Sequence, residues 1–193
     1  VGADGPTHHG AFDLAFAGLV PGTRIYTPES GGDLSAALDR ALSTGVPSFI
    51  RYPRGKTDVT PRTPYADFRV ALNDEKEIEK IIVSYGPIGA RIRKLVSSLG
   101  EETSRKIAHF SVLSAKPMPI ELEEFIERNA SRIREAIFFE DGVRHGGLSS
   151  DLASRHRFCR VRYFTYPDSF VTHGGVSELE REFGRDDESI LAA

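Results

Sequence analysis

Two stretches of alternating strand and helix pattern, separated by a proline-rich interval, constrain this chain more than any other feature. In the first stretch, apolar residues cluster from Ala11 to Gly18 as in a short helix that packs on a sheet. Arg24-Ile25-Tyr26-Thr27 reads as a strand ended by Pro28. Leu34, Ala37, Leu38, Ala41 and Leu42 recur at helical spacing, and Gly45 stops that helix. Pro47-Ser48-Phe49-Ile50-Arg51 is a second short strand. An αβαβ run of this kind builds a parallel sheet covered by helices.

From Tyr52 to Glu77 the periodicity lapses. Pro53, Pro61 and Pro64 stand there with Gly55 and many charges, the composition of a linker. A second series follows. Ile81-Ile82-Val83 marks a buried strand, and Gly86-Pro87 opens a helix to Leu99 with Ile88, Ile92, Leu95 and Val96 on one face. Strands are expected at 107–112, 136–139 and 160–164, and helices at 120–129, 147–154 and 178–183. Four strands alternating with about as many helices make a compact α/β domain with a mostly parallel sheet.

Composition narrows the function classes. Hydrophobic residues at 39% and charged residues at 27% suit a globular protein rather than a disordered one. A net charge of −3 gives no general attraction for nucleic acid or an anionic membrane. No apolar run approaches the roughly 20 residues of a membrane helix. The single cysteine, Cys159, rules out an intrachain disulfide and a thiolate metal cluster, and a buried, inert thiol is expected. His145, His156 and His173 show no metal-ligand spacing, so no metal site is expected in this chain.

Two segments could carry chemistry. One is Gly2-Ala3-Asp4-Gly5-Pro6-Thr7-His8-His9-Gly10, continuing into Ala11-Phe12-Asp13. Glycines let backbone and polar groups approach a ligand closely. Asp4 could orient His8 or share a substrate hydroxyl with it, and imidazole exchanges protons near neutral pH. A turn capped by Asp4, with its histidines in solvent, accounts for the spacing too, and on spacing alone it is the preferred account. Such a loop normally follows a strand. None precedes it and Val1 is not methionine, so the chain is expected to begin inside a domain. The other segment is Arg51-Tyr52-Pro53-Arg54-Gly55, at the end of a strand, where open α/β sheets bind ligands. An arginine there can clamp a phosphate, although a pair of surface arginines explains the segment as well.

Taken together, the two segments resemble the pyrimidine-binding domain of the 1-deoxy-D-xylulose-5-phosphate synthases. In that family Gly-Ala-Asp-Gly-Pro-Thr-His runs into Gly-Ala-Phe-Asp and is followed, after a strand, by Arg-Tyr-Pro-Arg-Gly. The likeness continues more weakly through Ile82-Val83-Ser84-Tyr85-Gly86, Ser114-Ala115-Lys116-Pro117, Phe139-Glu140-Asp141-Gly142 with Gly146-Gly147, and Asp168 to Gly174. Arg144-His145, Leu148-Ser149 and residues 56–75 depart from the pattern.

The resemblance implies a partial transketolase-like pyrimidine-binding domain at 1–55, a linker at 56–77, and a transketolase C-terminal α/β domain at 78–193. It implies a thiamine-diphosphate and magnesium enzyme that condenses pyruvate with D-glyceraldehyde 3-phosphate and releases carbon dioxide, supplying isoprenoid, thiamine and pyridoxal phosphate synthesis. On the same footing, His8 and Asp4 are expected at the acceptor aldehyde and its hydroxyl, and Arg54 on the acceptor phosphate. Arg51 is expected to be structural. The cofactor and metal would be held mainly by an N-terminal part lying before Val1, with no cofactor-binding residue in this chain. Alone, the chain is expected to be inactive. A homodimer in the cytoplasm, or in the plastid of a plant, is the implied setting. A subunit of a split transketolase-like enzyme, or a non-catalytic interaction module, is the alternative.

Overall fold

A computed structural model describes residues 2–56, 66–72 and 75–192. After a 3₁₀ turn at Gly2–Asp4, the chain forms α1 (Asp13–Leu19), β1 (Arg24–Tyr26), α2 (Gly31–Thr44) and β2 (Ser48–Ile50). Then come β3 (Phe68–Ala71), β4 (Lys80–Tyr85), α3 (Ile88–Ser98), α4 (Glu101–Arg105), β5 (Ile107–Val112) and β6 (Ser114–Lys116). The chain closes with α5 (Ile120–Arg128), β7 (Glu135–Val143), α6 (Leu148–Arg155), β8 (Arg160–Tyr166), α7 (Val176–Glu182) and α8 (Asp187–Leu191).

Two sheets result. The larger has the order β3-β5-β4-β7-β8, with β3 antiparallel and the other neighbours parallel. Its central strands carry apolar side chains on both faces, as a sheet covered on both sides requires. Ile81 and Val83 of β4 share one face with Phe110, Phe138 and the α5 residues Leu122, Phe125 and Ile126. Ile82, Ile107, Ile137 and Phe139 take the other face, beneath Ile92 and Leu95 of α3. Leu14 and Ala17 of α1 join the first of these clusters, so α1 packs on the larger sheet.

The smaller sheet, β2-β1-β6, joins the two halves of the chain. β1 runs parallel to β2 and antiparallel to β6. Lys116 of β6 points its ammonium at the carbonyls of Gly18 and Val20, each 2.7 Å away.

Residues 68–71 lie inside the stretch read as a linker, yet they form the edge strand β3. The alternation there is short, and its inward position is the charged Arg69, so no apolar run announces a strand. The rest of that stretch at 57–65 and 73–74 lies outside the described residues. Cys159 is exposed rather than buried, because it sits in the turn before β8 and not in the strand.

Arg69 is buried because carboxylates await it. Glu29 is fully buried, and its Oε2 accepts from Arg69 Nη1 at 3.0 Å and from Arg93 Nη2 at 2.6 Å. Its Oε1 accepts from Arg93 Nη1 at 3.0 Å and from the Ser111 hydroxyl. Asp33, in the first turn of α2, takes Arg69 Nη2 at 2.5 Å. Gly89 is required beside this cluster, since a Cβ there would collide with Ser111 Oγ and Glu29 Oε1. Removing one partner of a buried ion cluster strands the rest. Arg69→Met is therefore expected to cost about 3–5 kcal/mol in urea unfolding.

His109 on β5 is buried, with its Nε2 2.8 Å from Ser84 Oγ on β4. Burial, with a smaller push from Arg93, lowers its pKa from 6.5 to about 3. The folded chain thus resists a proton that the unfolded chain accepts. The neutral ring's contribution is whole above pH 6.5 and fades as pH falls towards 3. Its slope is at most about 1.4 kcal/mol per pH unit. His109→Gln is expected to remove that share of the acid slope when stability is measured against pH.

Candidate functional site

The first loop is shaped by two glycines and clamped from outside. Gly5 and Gly10 take φ of +80° and +69°, in the left-handed region. A Cβ on Gly10 would come within 2.6 Å of Asp13 Oδ2, so this turn has no room for one. The residues of the C-terminal tail hold the loop in place. Gly174 N donates to Gly2 O at 2.9 Å, and His9 Nε2 lies 3.2 Å from the Thr172 carbonyl. Phe12 meets Phe170 edge to face, 5.6 Å between centroids. From the other side, Val143 N donates to Ala11 O at 2.8 Å.

Arg51, just beyond β2, ties the loop to the larger sheet. Its Nε donates to Asp13 Oδ1 at 3.2 Å, and its Nη2 donates to the Asp141 carbonyl at 2.6 Å and to Asp141 Oδ2 at 3.1 Å. The guanidinium fork suits this double duty, which an ammonium could not perform. Burial raises the Asp13 carboxyl above its ordinary value, and Arg51 offsets only part of that rise. Arg51 is structural in this arrangement, as expected, and Asp13 and Asp141 are the partners that sequence reasoning did not identify.

The three candidate residues, Asp4, His8 and Arg54, lie at the exposed side of this scaffold. Asp4 ends the 3₁₀ turn, and its Oδ2 accepts from Arg54 Nη1. The loop and the end of β2 therefore meet at one ion pair, although fifty residues separate the partners. Arg54 is 70% exposed at its side chain, within reach of a ligand. His8 is exposed, and its Nδ1 lies 2.8 Å from Thr7 Oγ1. No hydrogen bond joins Asp4 to His8 among the described contacts. Asp4 orients Arg54 instead, because the turn from Gly5 O to His8 N directs the imidazole towards Thr7.

The downstream glycine pair is structural. Glu140 is fully buried and accepts from Leu148 N at 3.1 Å and Ser149 N at 2.8 Å, which satisfies the start of α6. A Cβ on Gly147 would meet the Val143 carbonyl at 2.6 Å. Among the described residues, no group of three or more His, Cys, Asp or Glu side chains could hold a metal ion. Among the described residues there is thus no side-chain cluster for the metal of a metal–diphosphate group.

Comparison with known proteins finds the same likeness along the chain. The model of the transketolase pyrimidine-binding domain matches residues 1–59. The 1-deoxy-D-xylulose-5-phosphate synthase of Phocaeicola vulgatus is 32% identical over 200 residues, covering 98% of this chain and 31% of the relative. That of Bacteroides thetaiotaomicron is 34% identical over 200 residues, covering 98% and 30%. Over nearly its whole length this chain is similar to 1-deoxy-D-xylulose-5-phosphate synthases. It spans about a third of the length of these curated relatives. Solved structures bear out the transketolase-like α/β fold. A split-gene transketolase, described as an inactive β4 tetramer, aligns with a TM-score of 0.76 at 18% identity, over 97% of this chain and 60% of that one. The transketolase of Campylobacter jejuni aligns with a TM-score of 0.71 at 18% identity, over 98% of this chain and 28% of that one.

The clamp on the loop can be tested directly. Arg51→Lys keeps the charge and loses the fork. It is expected to cost about 1–3 kcal/mol in thermal or urea unfolding and to raise amide exchange in residues 2–12.

Proposed function

We propose that this chain forms the acceptor-substrate side of a 1-deoxy-D-xylulose-5-phosphate synthase, which condenses pyruvate with D-glyceraldehyde 3-phosphate and releases carbon dioxide. The observation that carries this reading is the meeting of Asp4 and Arg54 from two distant segments, with His8 exposed on the same loop as Asp4. The relatives that match almost the whole chain are named 1-deoxy-D-xylulose-5-phosphate synthases, which supports the reading.

Thiamine diphosphate, with magnesium, supplies the electron sink when bound, and it is held by polypeptide outside this chain. The residues here bind and orient the acceptor. Arg54 takes the phosphate of glyceraldehyde 3-phosphate, whose oxygens match a planar guanidinium fork. Asp4 holds Arg54 in place before the phosphate arrives and accepts from the substrate hydroxyl afterwards. His8 stands on the same loop and moves a proton at the acceptor aldehyde oxygen. The scaffold of Arg51, Asp13 and Asp141 keeps these groups from drifting, and small displacements are costly in such a site.

The same reading makes the chain inactive alone and places its assembly, as a homodimer, in the cytoplasm. A split arrangement, with a second polypeptide supplying the cofactor side, is favoured by one observation. Phe16, Leu19, Leu38 and Leu42 leave α1 and α2 with large exposed apolar side chains, 79% exposed at Leu19 and 75% at Leu42.

The chain is to be co-expressed with the upstream two-thirds of the Bacteroides thetaiotaomicron synthase, and carbon dioxide and sugar phosphate measured. Arg54→Ala is expected to raise KM for glyceraldehyde 3-phosphate roughly 10- to 100-fold, the worth of a charge-assisted contact, and to leave KM for pyruvate in place. The purified chain alone is expected to give no product. An inert but well-folded complex would instead support a non-catalytic module.

A further inference from the structure

The edge of the larger sheet at β8 is open, long and well suited to pairing. β8 ends the strand order, and among the described residues it pairs only with β7. It is seven residues long, against four in β3 at the other edge. Its sequence, Arg160-Val161-Arg162-Tyr163-Phe164-Thr165-Tyr166, is rich in β-branched and aromatic residues and holds no proline, lysine or glycine. Natural edges are commonly blunted by proline, lysine or a bulge. β8 has neither of the first two, and the irregularity in its pairing lies on β7, between Phe139 and Val143.

The direction of the backbone bonds decides which groups the edge offers. Arg160 N donates towards β7, to Arg134 O at 3.1 Å. Arg185 Nη1 bridges Glu140 O of β7 and Phe164 O at 2.8 and 2.6 Å, so Phe164 also faces β7. Direction alternates along a strand, which turns the N–H and C=O groups of Val161, Tyr163 and Thr165 to the free edge. A groove of about 960 Å³ follows that edge, lined by every residue from Val161 to Asp168 and flanked by the turn at Arg144, His145 and Gly146. Asp4, His8 and Arg54 do not line it. Tyr163 stacks on Phe138 and Phe164 on Phe139, with centroids 5.5 and 4.5 Å apart, so β8 carries rings on both faces for the side chains of an added strand. Charge selects the occupant. The Arg144 guanidinium lies 4.2 Å from the Tyr163 centroid and meets no carboxylate among the described contacts. Arg160 and Arg162 share Glu135, which Lys80 also reaches, so three cations surround one carboxylate. Among the described residues lining the groove, Asp168 alone is acidic. A second copy of β8 would bring the same arginines with it, whereas an acidic strand meets opposite charge.

We infer that the free edge of β8 docks an extended, acidic segment of another polypeptide, which joins the sheet beside Val161, Tyr163 and Thr165. Main-chain hydrogen bonds supply the attachment, and the arginines supply the choice of partner. The inference does not depend on the reaction proposed above.

The probe is a fluorescent peptide of glutamate alternating with valine and threonine, of ordinary strand length. Its anisotropy is followed as the full chain is added, beside a version with lysine for glutamate and a version N-methylated at alternate amides. The acidic peptide is expected to saturate at one per chain, and the other two to bind at least about tenfold more weakly, or about 1.4 kcal/mol. Amide exchange at Val161, Tyr163 and Thr165 should slow when it binds, and exchange in residues 2–12 should not change. Thr165→Pro removes an edge donor and leaves the bonds to β7 in place, so it should melt close to the parent and lose the peptide. Arg144→Glu, at an exposed position, should weaken binding about tenfold and carries the test even if Thr165→Pro does not fold. Arg54→Ala should bind the peptide as the parent does. Equal binding of the lysine or methylated peptide, unchanged exchange in β8, or a dimer of the chain that Thr165→Pro breaks apart overturns the inference.

Discussion

The buried carboxylate of Glu29 is the interaction on which the rest of the molecule depends. Two arginines and a serine from three elements of the larger sheet layer converge on it, from β3, α3 and β5. Glu29 itself belongs to the short link between β1 and α2. A charge so deeply buried is tolerable only when every partner is present. The cluster therefore fixes the smaller sheet against the larger with an accuracy that apolar contact alone would not give. Asp33 extends it into the first turn of α2, where a negative charge also suits the helix end.

That rigid joint explains the work of the second half of the chain. The larger sheet contributes none of Asp4, His8 or Arg54, yet it positions all three. Asp141 of β7 receives Arg51, and the tail at 172–174 receives the first loop. The site is thus a surface feature whose geometry is set from beneath. Loops that carry chemistry commonly rest on a rigid scaffold in this way.

Much of this was legible in the sequence. The apolar runs of β4, β5 and β7 and the helical face of α3 announce themselves, because both faces of the larger sheet are covered. Asp4, His8 and Arg54 stand out as residues in paired motifs. Their mutual arrangement does not, because an ion pair across fifty residues leaves no periodic trace. β3 escaped notice since its inward residue is Arg69, whose place depends on Glu29 and Asp33 far away. β6 escaped because Ser114-Ala115-Lys116 is too short and too polar to read as a strand. Cys159 was read as buried because it adjoins an apolar strand, and only the turn geometry places it outside.

The hydrogen bond from Gly174 to Gly2 has a consequence for how the molecule is made. It joins residues near opposite ends of the chain, as does the ring contact of Phe12 with Phe170. Contacts of such long sequence separation close late, after local helices and hairpins have formed. The first loop is synthesised well before the tail and waits, without its clamp, until residues 170–174 have followed. The geometry of the first loop is therefore among the last features to settle as the chain folds, and a chain cut short of the tail keeps its helices and strands but loses the clamp on that loop.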